Sequence, residues 1–295
     1  MNIIEVNGLT KRYGDLTAVD HITFSVEQGT MLGFLGINGA GKSTAINMLS
    51  TLLQPDEGSA ALCGHTLGKD DAAIRRKIGI VYQQNVLDEL LTVRENLLCR
   101  GILHGATRSE ALAQLERLGQ ILKLDEIMKQ RYQTLSGGQK RRCEIAAALM
   151  HTPQILFLDE PTTGLDPATR KDVWQIIEML RKDENMTVFL TTHYMEEAAA
   201  ADRIIILDHG RIIDNGTPFD LKERYARDKL RLYGEGPLPG VATAYGSELT
   251  LGSTLEALPV LERVKGQIHG FEVIQGTMDD VFLNAVGKSL EEDAI

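Results

Sequence analysis

Eight residues constrain this chain more than any others: Gly36-Ile37-Asn38-Gly39-Ala40-Gly41-Lys42-Ser43. They follow an apolar run, Met31 to Leu35, that predicts a buried strand. They precede a helix-forming run predicted to start near Lys42 and reach about Leu53, where Pro55 and Gly58 stop it. Glycines at these spacings let the backbone wrap a chain of phosphates with several N–H groups pointing inward. The helix adds the positive end of its dipole, and Lys42 adds a full charge. In this strand–loop–helix context the pattern is the P-loop, so Lys42 is expected on the β and γ phosphates and Ser43 on Mg2+, with Thr44 extending the polar start of the helix. By itself the motif implies a nucleoside triphosphate and no particular purpose.

A second constellation says what is done to it. Ile155 to Leu158 is an apolar strand that runs into Asp159-Glu160-Pro161. Two carboxylates after a buried run are costly unless a cation or metal compensates them. Strand neighbours face opposite ways, so the two need not share a job. Asp159 is expected to hold Mg2+ through its water shell, and Glu160 to polarise an attacking water as general base. Pro161 lacks an N–H and ends the ladder. A third feature, Leu135-Ser136-Gly137-Gly138-Gln139 before the helical run Lys140 to Met150, is another glycine-rich approach to a helix N-terminus. One metal site with two anion-binding helix starts suggests that the second cradle serves another molecule's nucleotide. Lys140-Arg141-Arg142 reads as a solvated helix face.

With these motifs in hand, the chain resembles the nucleotide-binding subunit of an ABC (ATP-binding cassette) transporter, whose signature is Leu-Ser-Gly-Gly-Gln. The likeness covers roughly residues 3 to 220. Further family motifs stand in order: Gln83 after Gly79-Ile80-Val81-Tyr82, matching the Q-loop glutamine that touches Mg2+ or water; Asp166 in Gly164-Leu165-Asp166, matching the aspartate at the dimer seam; His193 in Thr191-Thr192-His193, matching the switch histidine on the γ-phosphate; and Tyr13, matching the aromatic residue that stacks on adenine. Taken singly, Asp166 before Pro167 also reads as a helix cap, and Gln83 as an ordinary loop residue.

The resemblance implies an α/β fold: a P-loop NTPase of the ABC ATPase type with a RecA-like α/β core, an antiparallel β subdomain and a helical subdomain at about 85–150. It implies that two copies sandwich two ATP molecules head to tail, each site using one chain's Gly36, Asn38, Gly39, Ala40, Gly41, Lys42, Ser43, Thr44, Asp159, Glu160, Gln83 and His193 with the partner's Ser136, Gly137, Gly138 and Gln139. Asn85-Val86-Leu87-Asp88, Leu91-Thr92-Val93-Arg94-Glu95-Asn96-Leu97 and Thr277-Met278-Asp279-Asp280-Val281-Phe282-Leu283 are most like the drug-resistance type of ABC-2 exporter ATPase. That type carries a small C-terminal α/β appendage, which divides the chain at 1–220 and 221–295. A separately encoded integral membrane permease is the implied partner, export of a drug-like or lipid-like compound the implied work, and the cytoplasmic face of the membrane the implied place. An importer ATPase, a cassette acting on ribosomes or DNA, and a binding module that does not hydrolyse ATP are the rival readings.

Composition narrows these. A net charge of −10 leaves no cationic excess for general nucleic-acid binding. Cys63, Cys99 and Cys143 form no Cys-x-x-Cys pair, a pattern that fits a reducing compartment. No signal peptide is visible and no run of about 18 apolar residues occurs, so membrane work is expected through a partner.

The remaining segments carry structural expectations. Ile3 to Val6 and Ala18 to Val26 are predicted strands, as are Val188 to Leu190 and Ile204 to Leu207, the last leading through Asp208-His209-Gly210-Arg211 into a hairpin. Thr107 with Glu110 forms a predicted capping box, and Leu112, Leu115, Leu118, Ile121 and Leu122 a core-facing helical stripe. Val86-Leu87 with Leu90-Leu91 fits equally a permease-docking groove or the subdomain's own core. Leu230, Leu232, Ile268 and Val273 suggest strands, Met278 to Val286 a helix, and Glu291-Glu292-Asp293 a disordered acidic tail.

Overall fold

Continuous apolar runs bounded by breakers can bury both faces of a parallel sheet, and these do. A computed structural model describes residues 1–292. Among them a six-stranded sheet runs in the spatial order Arg211–Gly216, Arg203–Asp208, Met31–Leu35, Thr187–Thr192, Ile155–Asp159, Ile78–Val81. All neighbours pair parallel except the first two, which form the predicted hairpin. Alternation decides which core each side chain joins. Met31, Leu35, Leu156, Leu158, Val188, Leu190, Ile204 and Ile206 face the larger group of helices, while Leu32, Phe34, Ile155, Phe157, Phe189, Ile205 and Leu207 face the opposite way, toward the helix Lys42–Leu49. On that second face Phe34, Phe157 and Phe189 meet at ring separations of 5.3 Å, contacts that contribute about 0.5–1.5 kcal/mol each beyond burial.

Against this face lies an antiparallel sheet in the order Leu16–Glu27, Asn2–Tyr13, Glu57–Leu62, His65–Thr66. The first strand is longer than the expected Ile3 to Val6, because register shifts carry it past Gly8 and keep it paired on both sides. The helix after the glycine loop is shorter than expected. It spans Lys42–Leu49, since Thr51 turns left-handed at φ 67° before Pro55 is reached.

On the helical face, Val93–Leu103, Arg108–Ile121 and Gly137–Leu149 each begin with a capping box, set by Thr92 with Glu95, Thr107 with Glu110 and Ser136 with Gln139. Of the predicted stripe, Leu115, Leu118 and Leu122 are buried and Leu112 and Ile121 half-buried. Leu87 joins the core, whereas Val86 and Leu90 are exposed, so the core accounts for only part of that apolar run. Burial also separates the cysteines: Cys99 is exposed, while Cys143 is buried and its thiol is pushed up to about 12. Maleimide labelling of the folded chain at neutral pH is expected to modify Cys99 first and to reach Cys143 only on unfolding; equal labelling in peptide mass maps would contradict the packing.

The C-terminal segment builds a third sheet, ordered Val241–Thr243, Gly246–Leu251, Asp228–Gly234, Ile268–Ile274, around Leu230, Leu232, Leu251, Ala257 and Val264. The last helix, Met278–Glu292, leaves this sheet. Its Met278, Val281, Phe282 and Ala285 join the large core beneath the parallel sheet, and Asn284 Nδ2 donates to Tyr225 O at 2.7 Å. The Thr277–Asp280 portion of the exporter-like motif is this helix's cap, with Thr277 N and Oγ1 donating to Asp280 at 2.8 and 2.7 Å. Of the expected acidic tail, Glu291 and Glu292 fall in the helix, and Asp293 lies outside the described residues. No helix among those residues is long and apolar enough to cross a membrane.

Candidate functional site

The loop Gly36–Ser43 sits at the carboxyl end of Met31–Leu35, the crevice where open α/β sheets hold ligands. Two of its glycines are dictated by space: a Cβ on Gly36 would lie 2.6 Å from Leu207 O, and one on Gly41, at φ 105°, would lie 2.3 Å from Ala18 O. Gly39, at φ 88°, faces open space. Asn38 and Ser43 are exposed, Thr44 is half-buried, and Ala40 is buried. Lys42 is only 5% exposed. Its Nζ lies across the loop, donating to Gly36 O at 2.8 Å and Ile37 O at 3.0 Å. Burial pushes the ammonium below its ordinary value, opposed by the charges of Glu160 and Asp159. Both carboxylates therefore act on the loop lysine from the end of the strand Ile155–Asp159, one strand removed from Met31–Leu35 in the sheet.

The two carboxylates part company at the backbone. Asp159 closes its strand and accepts from Thr191 Oγ1 at 2.6 Å. Glu160 follows at φ 46°, in the left-handed region, a conformation that costs about 1 kcal/mol or more for a non-glycine residue. Its N–H still donates to Thr191 O at 3.0 Å. The turn aims one oxygen, Oε2, at three groups from separate segments. Gln83 Nε2 donates to it at 3.2 Å and Thr163 Oγ1 at 3.1 Å. His193 Nδ1 stands 3.2 Å away, an approach in distance without the angle of a hydrogen bond. Tyr194 packs on the His193 ring at 4.2 Å, and Arg170 stands 4.2 Å from the Tyr194 ring. Gln83, Glu160 and His193, scattered over more than a hundred positions, thus share one carboxylate oxygen.

The Leu135–Gln139 segment lies elsewhere. Ser136 N donates to Gln139 Oε1 at 2.9 Å, and Gln139 N to Ser136 Oγ at 3.3 Å. A Cβ on Gly138 would meet Thr169 Cγ2 at 2.5 Å, whereas one on Gly137 would find only Leu165, at 3.9 Å. Ser136 and Gly137 are exposed. Among the described residues no hydrogen bond joins this segment to the loop Gly36–Ser43. Asp166 caps the helix Pro167–Glu184, accepting from the N–H groups of Ala168 and Thr169 at 3.1 Å. Thr169's hydroxyl bond to it is the main reason its carboxyl is held below the usual range. Tyr13 ends its strand half-exposed, with Lys11 Nζ 5.8 Å from its ring.

One expectation is overturned here. Lys140-Arg141-Arg142 is not a solvated face. Arg141 is 5% exposed and donates into the backbone beside Glu160 and Gln83. Arg142 is half-buried and donates to Leu122 O at 3.3 Å, and Lys140 stands 5.3 Å from the Tyr132 ring. The helix Gly137–Leu149 is buried on most of its circumference, so a tract of three adjacent cations on it turns one member inward. Sequence reasoning also passed over Thr163, Thr191 and Glu197. Glu197, 4% exposed, accepts from Thr192 Oγ1 at 2.7 Å and from Thr162 Oγ1, tying the turn after Glu160 to the residue before His193. The adjacent Thr pairs, 162–163 just after Asp159-Glu160-Pro161 and 191–192 at the end of an apolar run, were the available signal.

A profile described as "ABC transporter" matches residues 19–163. The daunorubicin/doxorubicin resistance ATP-binding protein DrrA of Streptomyces peucetius is 39% identical over 310 residues, covering 98% of this chain and 94% of that protein. This chain belongs to the ABC transporter family. Nod factor export ATP-binding protein I of Burkholderia lata is 36% identical over 98% of both chains. Among solved structures, a dimeric post-hydrolysis state of an ATP-binding cassette bound to ADP and Pi superposes with a TM-score of 0.65 at 30% identity, covering 73% of this chain and 98% of that one. The expected fold class and the reading as an ABC ATPase subunit stand. What such a cassette needs for ATP is present: a lysine-bearing glycine loop, a carboxylate beside it, and a polar triad. Ser43, Gln83 and Asp159 offer hydroxyl, amide and carboxylate oxygens, the hard donor set that suits Mg2+.

Proposed function

We propose that two copies of this chain close head to tail over two ATP molecules, and that their hydrolysis drives export of a drug-like or lipid-like compound through a separately encoded membrane permease. The observation that carries the composite site is the isolation of the Ser136–Gln139 helix start from its own chain's phosphate loop, although its exposed Ser136 and Gly137 present an anion-binding end. The relatives' names, for drug resistance and Nod factor export, favour export over import. The net charge of −10 disfavours a nucleic-acid partner.

In this reading Tyr13 stacks on adenine, and the N–H groups of Gly36, Asn38, Gly39, Ala40 and Gly41 cradle the phosphates. Lys42 neutralises the β and γ oxygens, and Thr44 extends the polar start of the helix. Ser43, Gln83 and Asp159 hold Mg2+, which supplies charge neutralisation on the phosphates. Glu160 Oε2 accepts a proton from the attacking water, Gln83 orients that water, and His193 donates to the γ-phosphate. Asp166 stands at the seam, and Ser136, Gly137, Gly138 and Gln139 complete the partner's site. Each group positions or stabilises charge, which is what phosphoryl transfer asks of a protein. Residues 221–295 form an accessory unit anchored on the 1–220 cassette by the final helix. The permease docks on the helical subdomain beside the exposed Val86, over a cleft lined by Arg75, Tyr82, Val86, Arg100, His104 and His151, and the pair works at the cytoplasmic face of the membrane.

Two inactive variants test the composite site. Gly137→Asp puts a negative charge where the partner's nucleotide would sit, at a position with room for a side chain. Lys42→Ala disables the loop. Each alone is expected to be inactive, whereas a mixture forms ATP-dependent heterodimers with one intact site and recovers up to about a quarter of the turnover. A mixture that yields neither heterodimers by light scattering nor hydrolysis overturns the proposal.

A further inference from the structure

The helix Gly137–Leu149 carries two buried charges that the reading above leaves without a task. Arg141 and Glu144 lie one turn apart and are 5% and 3% exposed. Burying a charge costs several kcal/mol unless its hydrogen bonds are fully placed, so what these two groups hold is informative. Arg141 Nη1 donates to Tyr82 O at 2.6 Å, Nε donates to Pro161 O, and Nη2 approaches Asp159 O at 3.4 Å. Glu144 gathers three donors on one oxygen: Oε1 accepts from Val86 N at 2.8 Å, Leu87 N at 3.1 Å and Tyr132 Oη at 2.7 Å.

Every one of these bonds except that from Tyr132 falls on two short segments. The span from Tyr82 to Leu87 contains Gln83, and Arg141 pins it at its first residue while Glu144 pins it at its last two. The span from Asp159 to Pro161 contains Glu160, and Arg141 holds the carbonyl on either side of it. One helix therefore grips from behind both segments whose side chains, Gln83 and Glu160, meet at Oε2. Burial pushes the Arg141 guanidinium down to about 10, with Glu144 the leading opposing influence, so it keeps its charge and its planar fork at neutral pH.

We propose that Arg141 and Glu144 are positioning residues for hydrolysis: through them the helix that begins at Ser136 sets, within its own chain, where Gln83 and the Glu160 carboxylate stand. A movement of that helix as its exposed start meets a nucleotide then shifts both groups together. This inference rests on Glu160 being the base.

The test uses the full-length chain in a steady-state ATPase assay, with ATP affinity and thermal unfolding measured alongside. Arg141→Lys keeps the charge and loses the fork. It is expected to lower kcat by about tenfold or more, since displacing a reacting group by about 1 Å costs on the order of a hundredfold, while ATP affinity stays within about twofold. Glu144→Leu removes the second pin and is expected to do the same, with faster amide exchange in the peptide spanning residues 82–90. Glu144→Gln keeps the accepting oxygen and is expected to restore turnover to within about threefold of wild type. Wild-type kcat in folded Arg141→Lys or Glu144→Leu overturns the proposal, as does a loss expressed only as weaker ATP binding or unfolding. Should Arg141→Lys fail to fold, the Glu144 pair decides alone. Glu160→Gln in the same assay separates the two failures: if it leaves turnover intact, the base assignment is wrong; if it abolishes turnover while the Arg141 and Glu144 variants do not, only the positioning role is wrong.

Discussion

Glu160→Gln is expected to lower steady-state ATP hydrolysis by about 10²–10⁴-fold, the usual contribution of a positioned general base, while leaving ATP binding intact. Glutamine preserves the volume and one oxygen but cannot take a proton from water. The left-handed backbone at φ 46° and the N–H bond to Thr191 O do not depend on the carboxylate, so the variant should fold normally. Retained ATP with stalled hydrolysis should accumulate the closed dimer, visible as a doubling of mass by light scattering when ATP is added. Wild-type turnover in this variant would remove Glu160 from the chemistry.

Lys42→Ala is expected to fail one step earlier. The ammonium is the only side-chain cation reaching into the loop Gly36–Ser43 among the described residues, where it bonds to Gly36 O and Ile37 O. Charged hydrogen bonds of this kind contribute about 1.5–3 kcal/mol each, so ATP affinity should fall by about 10- to 100-fold. Turnover should fall further, because charge gathers on the same oxygens during transfer. The melting temperature should change little, since the variant loses two carbonyl bonds but also relieves a desolvated charge. Isothermal titration with ATP checks the affinity. Unaltered binding would mean that the loop amides alone hold the phosphates.

Much of this site could be read directly from residue order. The glycine loop was legible because its signal is contiguous, the glycines standing directly before Lys42 and Ser43, although the backbone oxygens that exclude a Cβ at Gly36 and Gly41 belong to the distant Leu207 and Ala18. Asp159 and Glu160 were legible because an apolar strand led into them. The left-handed turn at Glu160 was not. Alternation along a strand accounts for two carboxylates facing differently, but the strand stops at Asp159, and it is the reversed φ that gathers Gln83, Thr163 and His193 on one oxygen. Arg141 was misread because a run of three cations looks solvated until the carbonyls that receive one of them are known. Those carbonyls come from Tyr82, Asp159 and Pro161, none a sequence neighbour.

The C-terminal segment divides in the same way. Alternating Leu230 and Leu232 and the apolar stripe of the last helix announced a small sheet and a helix. That the helix would leave the sheet and bury Met278, Val281, Phe282 and Ala285 in the cassette's own core was not written in its periodicity, because an amphipathic stripe says that a face must be covered and not by what. Residue order by itself determined the elements, the glycine loop and the kind of chemistry, since these depend on neighbours in the chain and on local backbone geometry. Only the tertiary structure decided which distant groups converge on Glu160 and which charges are buried behind it. Burial and convergence belong to pairs of residues far apart in sequence, and they exist only once the sheet and helices have packed.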